Sequence, residues 1–194
     1  MRKKSPTERE RLLELCFECF CENGLEGTST KKLSEACGMS QGNIFHYFPT
    51  KDEIVIKSTA YCMAKVEDDF MANAPKDVKD IRRFLKEIPY WTAEKHGAKY
   101  RFMYQVYTSP KYRKYGTEFF NGVTKRYTDY AKSLELKLGI PWQVIQPLIY
   151  IFVRACVHYA LFEDEEYLKP QIALIENMMP MILAKYSDAP KDNQ

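Results

Sequence analysis

The stretch that decides the fold is residues 30–54, TKKLSEACGMSQGNIFHYFPTKDEI. It holds two segments of helical patterning joined across Gly38, and a third helix start follows at once. A helix of about seven residues is marginal alone and persists only through packing. Leu33 and Ala36 on the first segment, and Ile44, Phe48 and part of Phe45 on the second, offer an apolar side for that packing. Gly38 permits the left-handed backbone that a sharp turn needs, and Met39 is placed to fill the corner. Ser40 is set to cap the second segment. Thr50, with Glu53 three residues on, forms a capping-box pattern for the third. Two helices joined by a short glycine turn are the helix-turn-helix arrangement.

Once the apolar side is packed, the second segment presents what remains. Ser40, Gln41 and Gly42 lie at its N-terminal end, where free N–H groups and the helix dipole favour phosphate. Gln41 and Asn43 carry amides suited to bidentate contact with adenine. Gly42 lets the backbone come close to a groove. His46 and Tyr47, one turn further, reach toward phosphate or a thymine methyl. Lys51 stands in the first turn of the next helix, where a cation opposes the dipole; it makes sense there as a phosphate clamp.

The rest of the chain sets bounds. Its 194 residues are 45% hydrophobic, 28% charged and 14% aromatic, the balance of a globular protein with a real core. A net charge of +3 does not by itself announce a nucleic-acid binder. The start MRKKSPTERE has no apolar core of a secretory signal. The apolar run at 144–162 is broken by Gln146, Pro147, Arg154 and His158, each costly in lipid, and reads as a buried helix. Cys16 and Cys19 form a C-x-x-C, but no second pair follows at zinc-ligand spacing. Cys16 shares a helical stripe with Leu13, Phe17 and Phe20, where cysteine serves as a small hydrophobe. The expectation is a cytoplasmic protein with no metal, no cofactor and no membrane.

Organisation is helical almost throughout. Helices are expected at 7–23, 29–37, 40–48, 50–72, 78–95, 98–108, 111–138, 142–162 and 168–185. Gly24, Gly38, Gly97, Pro110, Gly139 and the acidic run at 163–166 stand as separators, the last read as a solvated turn. The fold class is all-α, with about nine helices.

The run G-x-x-x-T-S-T-x-x-L-S-E-A-C-G-M-S-Q-G-N-I-F-H-Y-F-P-T-K-D-E-I resembles the DNA-binding headpiece of the TetR family of bacterial transcriptional regulators, over residues 7–56. The resemblance implies a three-helix DNA-binding domain at 1–56 and a larger helical ligand-binding and dimerisation domain at 57–194. It further implies a homodimer on double-stranded operator DNA, usually a repressor released by a small-molecule effector. The family's DNA-contacting positions fall on Thr28, Thr30, Gln41, Gly42, Asn43, Phe45, His46, Tyr47 and Lys51. Phe45 stands where the family often has tyrosine, so a hydroxyl contact is lost there; Cys19 replaces a more usual leucine. Residues 1–55 hold eight Lys/Arg against nine Asp/Glu, a net of −1. Binding then depends on placement: Arg2, Lys3, Lys4, Lys31, Lys32 and Lys51 toward the duplex, the glutamates of the first helix away.

In the second domain Tyr100, Met103, Tyr104 and Tyr107 share one side of a helix. Trp91, Tyr104, Tyr107, Tyr150, Arg154 and His158 are the candidate ligand-lining residues, around a cavity expected within 80–160. Arg154 and His158, four apart on an apolar helix, read as buried ionisable groups that need partners. A pocket and a dimer seam both meet that need. Dimerisation is expected through 142–162 and 168–185, which are richer in apolar residues than one side of a monomer requires. The competing reading is a helical protein–protein adaptor with a non-specific DNA-binding headpiece. The residues offer no phosphate-binding glycine loop, metal-ligand pair or nucleophile–base motif, which argues against an enzyme. Effector, operator, target genes and the sign of regulation are not written in the sequence.

Overall fold

The computed structural model describes residues 7–187, with the side chain of Ser187 left aside. Arg2, Lys3 and Lys4, and the polar tail beyond Ser187, lie outside the described residues. Among these, eight helices are present: α1 (Glu8–Gly27), α2 (Thr30–Cys37), α3 (Gln41–Tyr47), α4 (Lys51–Ala72), α5 (Val78–Thr108), α6 (Arg113–Leu138), α7 (Trp142–Phe162) and α8 (Glu165–Ser187).

The count falls one short of the expectation because α5 does not stop at Gly97. A glycine inside a helix costs about 1 kcal/mol relative to alanine. The buried stripe Leu85, Ile88, Thr92, His96, Tyr100, Met103 and Tyr107 keeps helical spacing straight across it, and a continuous buried face outweighs that penalty. Gly24 is passed differently. It takes a left-handed φ of +71°, so α1 kinks there and resumes to Gly27.

The chain packs as two compact units. One runs through Ala72 and includes Ala98–Phe119; the other comprises Asn73–Gly97 and the chain from Phe120 onward. In the first unit α1 packs on α2 and α4, and α2 on α3. Its core holds Leu12, Phe17, Phe20, Leu33, Phe48, Ile54 and Met63. Phe102 stacks on Phe20 at 5.2 Å between ring centroids and meets Phe17 edge-on at 5.5 Å, geometries favoured by aromatic quadrupoles.

In the second unit α7 packs on α8. Phe84 and Phe152 lie 5.2 Å apart, and Ala131, Ile140 and Ile145 form a cluster with Trp142, Ile182 and Leu183. By length and composition α7 could cross a membrane. Here it buries Ile145, Phe152, Ala155, Cys156 and Ala160, donates from Gln146 to Thr128, and carries His158 3.1 Å from Asp164. Asp164 also accepts from the Tyr167 backbone N–H. Part of the acidic run expected as a turn therefore starts α8, whose first turn holds Glu165 and Glu166, favourable charges at a helix N-terminus.

Candidate nucleic-acid interface

Local chemistry builds the helix pair as the sequence requires. Ser29 accepts from the Lys32 N–H and caps α2. Gly38 ends it at φ +66°, ψ +31°, its N–H bonded to the carbonyls of Glu35 and Ser34. No atom lies within 4 Å of where a side chain would start at Gly38, so glycine is required there for its backbone alone. Ser40 accepts from the Asn43 N–H at 3.3 Å and opens α3. Thr50 accepts from the Glu53 N–H at 3.1 Å and opens α4. The Glu53 carboxylate meets Lys57 and, at 3.9 Å, Arg9. Arg9 also lies over the Phe48 ring at 5.3 Å.

Packing then sorts α2 and α3 by face. Leu33, Cys37, Ile44 and Phe48 are buried, and Phe45 is half-buried. Ala36, expected in the core, is exposed, and Cys37 fills that role one position later. Gln41, Gly42, Asn43, His46 and Tyr47 are all exposed along α3. Thr30, half-buried, donates from its hydroxyl to Gln41 Oε1 at 3.3 Å. That bond fixes the Gln41 carboxamide and leaves its NH₂ as donor. His46 and Tyr47 stand edge to face, 6.1 Å between centroids.

Two expected contact residues have other work in this conformation. Thr28 has no exposed surface; its hydroxyl donates to Gly24 O at 2.7 Å. A buried hydroxyl bonded to backbone cannot touch a duplex, so Thr28 is a strut for the kink of α1. Lys51 is half-buried, and its ammonium donates to Leu25 O at 3.0 Å. The cation that looked misplaced in the first turn of α4 stands at the carbonyl end of α1, where the dipole favours it.

Lys32 serves the same end, bonding Gly27 O at 3.0 Å and Asn23 Oδ1 at 2.6 Å. Gln105 accepts from the Leu25 N–H at 2.9 Å. The kink at Gly24 thus has its freed backbone groups met by side chains from α2, α4 and α5, as buried or turning backbone requires. Lys32 and Gln105 were not legible as such in the sequence, since their partners lie five to eighty residues away. Asp52 accepts from Lys111 and from the Tyr112 hydroxyl, both at 2.7 Å. These bonds, Lys111 first, hold its carboxyl below the usual carboxylate range.

The candidate ligand residues fall in both units: Tyr104 and Tyr107 in the first, Trp91, Tyr150, Arg154 and His158 in the second. Tyr107 is buried against Phe119 and backs onto Gly116; burial pushes its phenol up to about 12. Trp91 carries Lys95 over its ring at 4.9 Å and the His96 ring at 5.1 Å. The Tyr150 hydroxyl is buried with no hydrogen-bond partner among the described residues, beside Tyr127. Arg154 is exposed while Ala155 and Cys156 beside it are buried, so the expectation of a buried guanidinium does not hold. His158 is half-buried, beside Asp164 and with its ring 4.1 Å from that of Tyr167, tilted by 36°.

Residues 12–57 match the sequence profile of bacterial regulatory proteins of the tetR family. The repressor AcnR of Corynebacterium efficiens is 30% identical over 86 residues, 44% of this chain and 44% of that one. The regulator PksA of Bacillus subtilis is 30% identical over 78 residues, 40% and 38% of the two chains. The matched part thus spans less than half the length of these relatives. A TetR transcription regulator from Haloarcula marismortui aligns over 90% of this chain and 97% of its own, with TM-score 0.69 and 14% identity. The FadR repressor of Thermus thermophilus, solved with lauroyl-CoA, aligns over 96% and 100%, with TM-score 0.56 and 16% identity. Over residues 12–57, its helix-turn-helix headpiece, this chain is thus similar to the tetR family of bacterial regulatory proteins.

Proposed function

We propose that this protein is a DNA-binding transcriptional regulator, a cytoplasmic repressor that binds a palindromic operator as a homodimer and is released by a small-molecule effector. The observation that carries the reading is the division of α3. Ile44 and, beyond it, Phe48 are buried while Gln41, Gly42, Asn43, His46 and Tyr47 stay exposed. A helix held in place by one apolar side, with amides at its free N-terminal end, has the form of a recognition helix. The likeness to regulators over the headpiece supports it.

In this reading residues 1–56 contact DNA and residues 57–194 supply the effector site and the dimer. Leu174, Met178 and Met181 form an exposed apolar stripe on α8, and a two-fold dimer covering it would match the symmetry of a palindrome. A footprint of the full chain on the DNA upstream of its own gene, with titrations on that duplex and a scrambled one across a salt series, tests the proposal. A protected palindrome with tighter binding to it than to scrambled DNA is expected. Equal affinity for both would instead favour the adaptor with a non-specific headpiece.

A further inference from the structure

Six cysteines are free thiols, and two of them touch. The Cys16 and Cys37 Sγ atoms lie 3.5 Å apart, one in α1 and the other the last residue of α2. The C-x-x-C neighbour of Cys16 is not its partner in space; the partner is 21 residues on. From this juxtaposition we propose that Cys16 and Cys37 close to a disulfide under peroxide, and that this bond moves the recognition helix and weakens DNA binding.

The order of events follows from exposure. Cys16 has no exposed surface and Cys37 keeps 4%, so a small oxidant meets Cys37 first. The hydrogen bond from the Cys16 thiol, aided by Arg11, lowers the Cys37 pKa against the effect of burial, and Cys16 is raised in turn. The nucleophile is thereby Cys37 and the resolving thiol Cys16. The Cys37 thiolate attacks one oxygen of hydrogen peroxide; the O–O bond breaks and hydroxide leaves, taking a proton to become water. Cys37 is now a sulfenic acid. The Cys16 sulfur attacks the Cys37 sulfur, the S–O bond breaks, and the hydroxyl departs as water with the Cys16 proton. Two thiols and one peroxide give one disulfide and two waters.

The consequence lies in the chain order. A disulfide holds its sulfurs at about 2.05 Å, so the pair must close well over an ångström within a packed core. Cys37 is followed by Gly38 at the turn and by Ser40, the cap of α3. Interiors are close-packed and transmit such strain rather than absorb it, so α2 and the turn carry the shift into α3.

The regulatory half of this proposal rests on the DNA-binding reading; the chemical half does not. The full chain is treated with hydrogen peroxide, digested, and mapped by mass spectrometry, in parallel with operator titration before and after dithiothreitol. A Cys16–Cys37 peptide is expected, with at least a tenfold loss of affinity that reductant restores. Cys16→Ala should stall at a Cys37 sulfenic acid trapped by dimedone, and both Cys16→Ala and Cys37→Ala should bind DNA when reduced yet keep their affinity under peroxide. Oxidation that links other cysteines, or leaves this pair reduced, overturns the proposal. So does a mapped Cys16–Cys37 bond with unchanged affinity. Failure of the reduced protein to bind any promoter duplex would count against the functional reading and leave the mapped disulfide to stand or fall separately.

Discussion

Lys51, in the first turn of α4, donates from its ammonium to the carbonyl of Leu25, 3.0 Å away near the end of α1. One bond thereby ties α4, the helix after α3, to α1, the helix before the pair. An ammonium has three N–H groups, so two remain for a phosphate. Lys51→Ala should lower stability by about 1.5–3 kcal/mol, the usual range for a hydrogen bond to a charged group. It should also weaken operator and scrambled DNA alike and lower the salt slope by about one unit. Thermal melts and salt-series titrations check both. An unchanged salt slope would make Lys51 a purely internal strut.

Asn43 is the opposite case. Its side chain is exposed on α3 while its N–H is held by Ser40. Asn43→Ala should leave the melting temperature and scrambled-DNA affinity unchanged and cost about 1–3 kcal/mol on the operator. Preference should relax at one base pair per half-site, read by titrating duplexes substituted at each position. Equal losses on both duplexes would reassign Asn43 to the phosphate backbone.

Gly38 tests the turn itself. With nothing within 4 Å of a new side chain, Gly38→Ala meets no clash and only the left-handed backbone penalty, about 1–2 kcal/mol. Asparagine, which tolerates that conformation, should cost less. Gly116→Ala should be worse than either, because its new carbon would sit 2.7 Å from Tyr107 Cβ and a packed core resists overfilling. Denaturant unfolding of the three variants ranks them.

Asp52 gives a pH dependence whose sign is fixed. Its folded pKa is depressed, through Lys111 first and Tyr112 second. Its contribution is therefore present above its ordinary value of 3.8 and lost as pH falls through the lower folded value. The side chain is 44% exposed, so screening limits the contribution to about 0.2–1 kcal/mol. Asp52→Asn should destabilise the protein by that amount at pH 7 and by less at an acidic pH below 3.8. Equal losses at both pH values would mean that the hydrogen bonds, not the charge, matter.

The apolar stripe on α8 leads to the last expectation. Met181 is 73% exposed. Met181→Arg should give a monomer by light scattering at micromolar concentration and at least tenfold weaker operator binding, with the headpiece fold intact by circular dichroism. A wild-type chain that is monomeric both free and on DNA would remove the dimer from the proposal.

What the sequence alone determined is what neighbours a few residues apart can decide. Thr7 with Glu10, Ser29, Ser40 and Thr50 cap their helices within three residues, and Gly38 turns because glycine takes its positive φ at the least cost. The exposed face of α3 follows from the same periodicity. Tertiary structure decided where long side chains end. Lys32 and Lys51 turn inward to the carbonyls of α1, Thr28 is swallowed by the kink, and Arg154 faces out. It also carried α5 through Gly97 and set Cys16 against Cys37 rather than Cys19. Caps and turns are local energies of a few atoms; those outcomes depend on which faces meet, and that is fixed only when distant parts of the chain compete for one core.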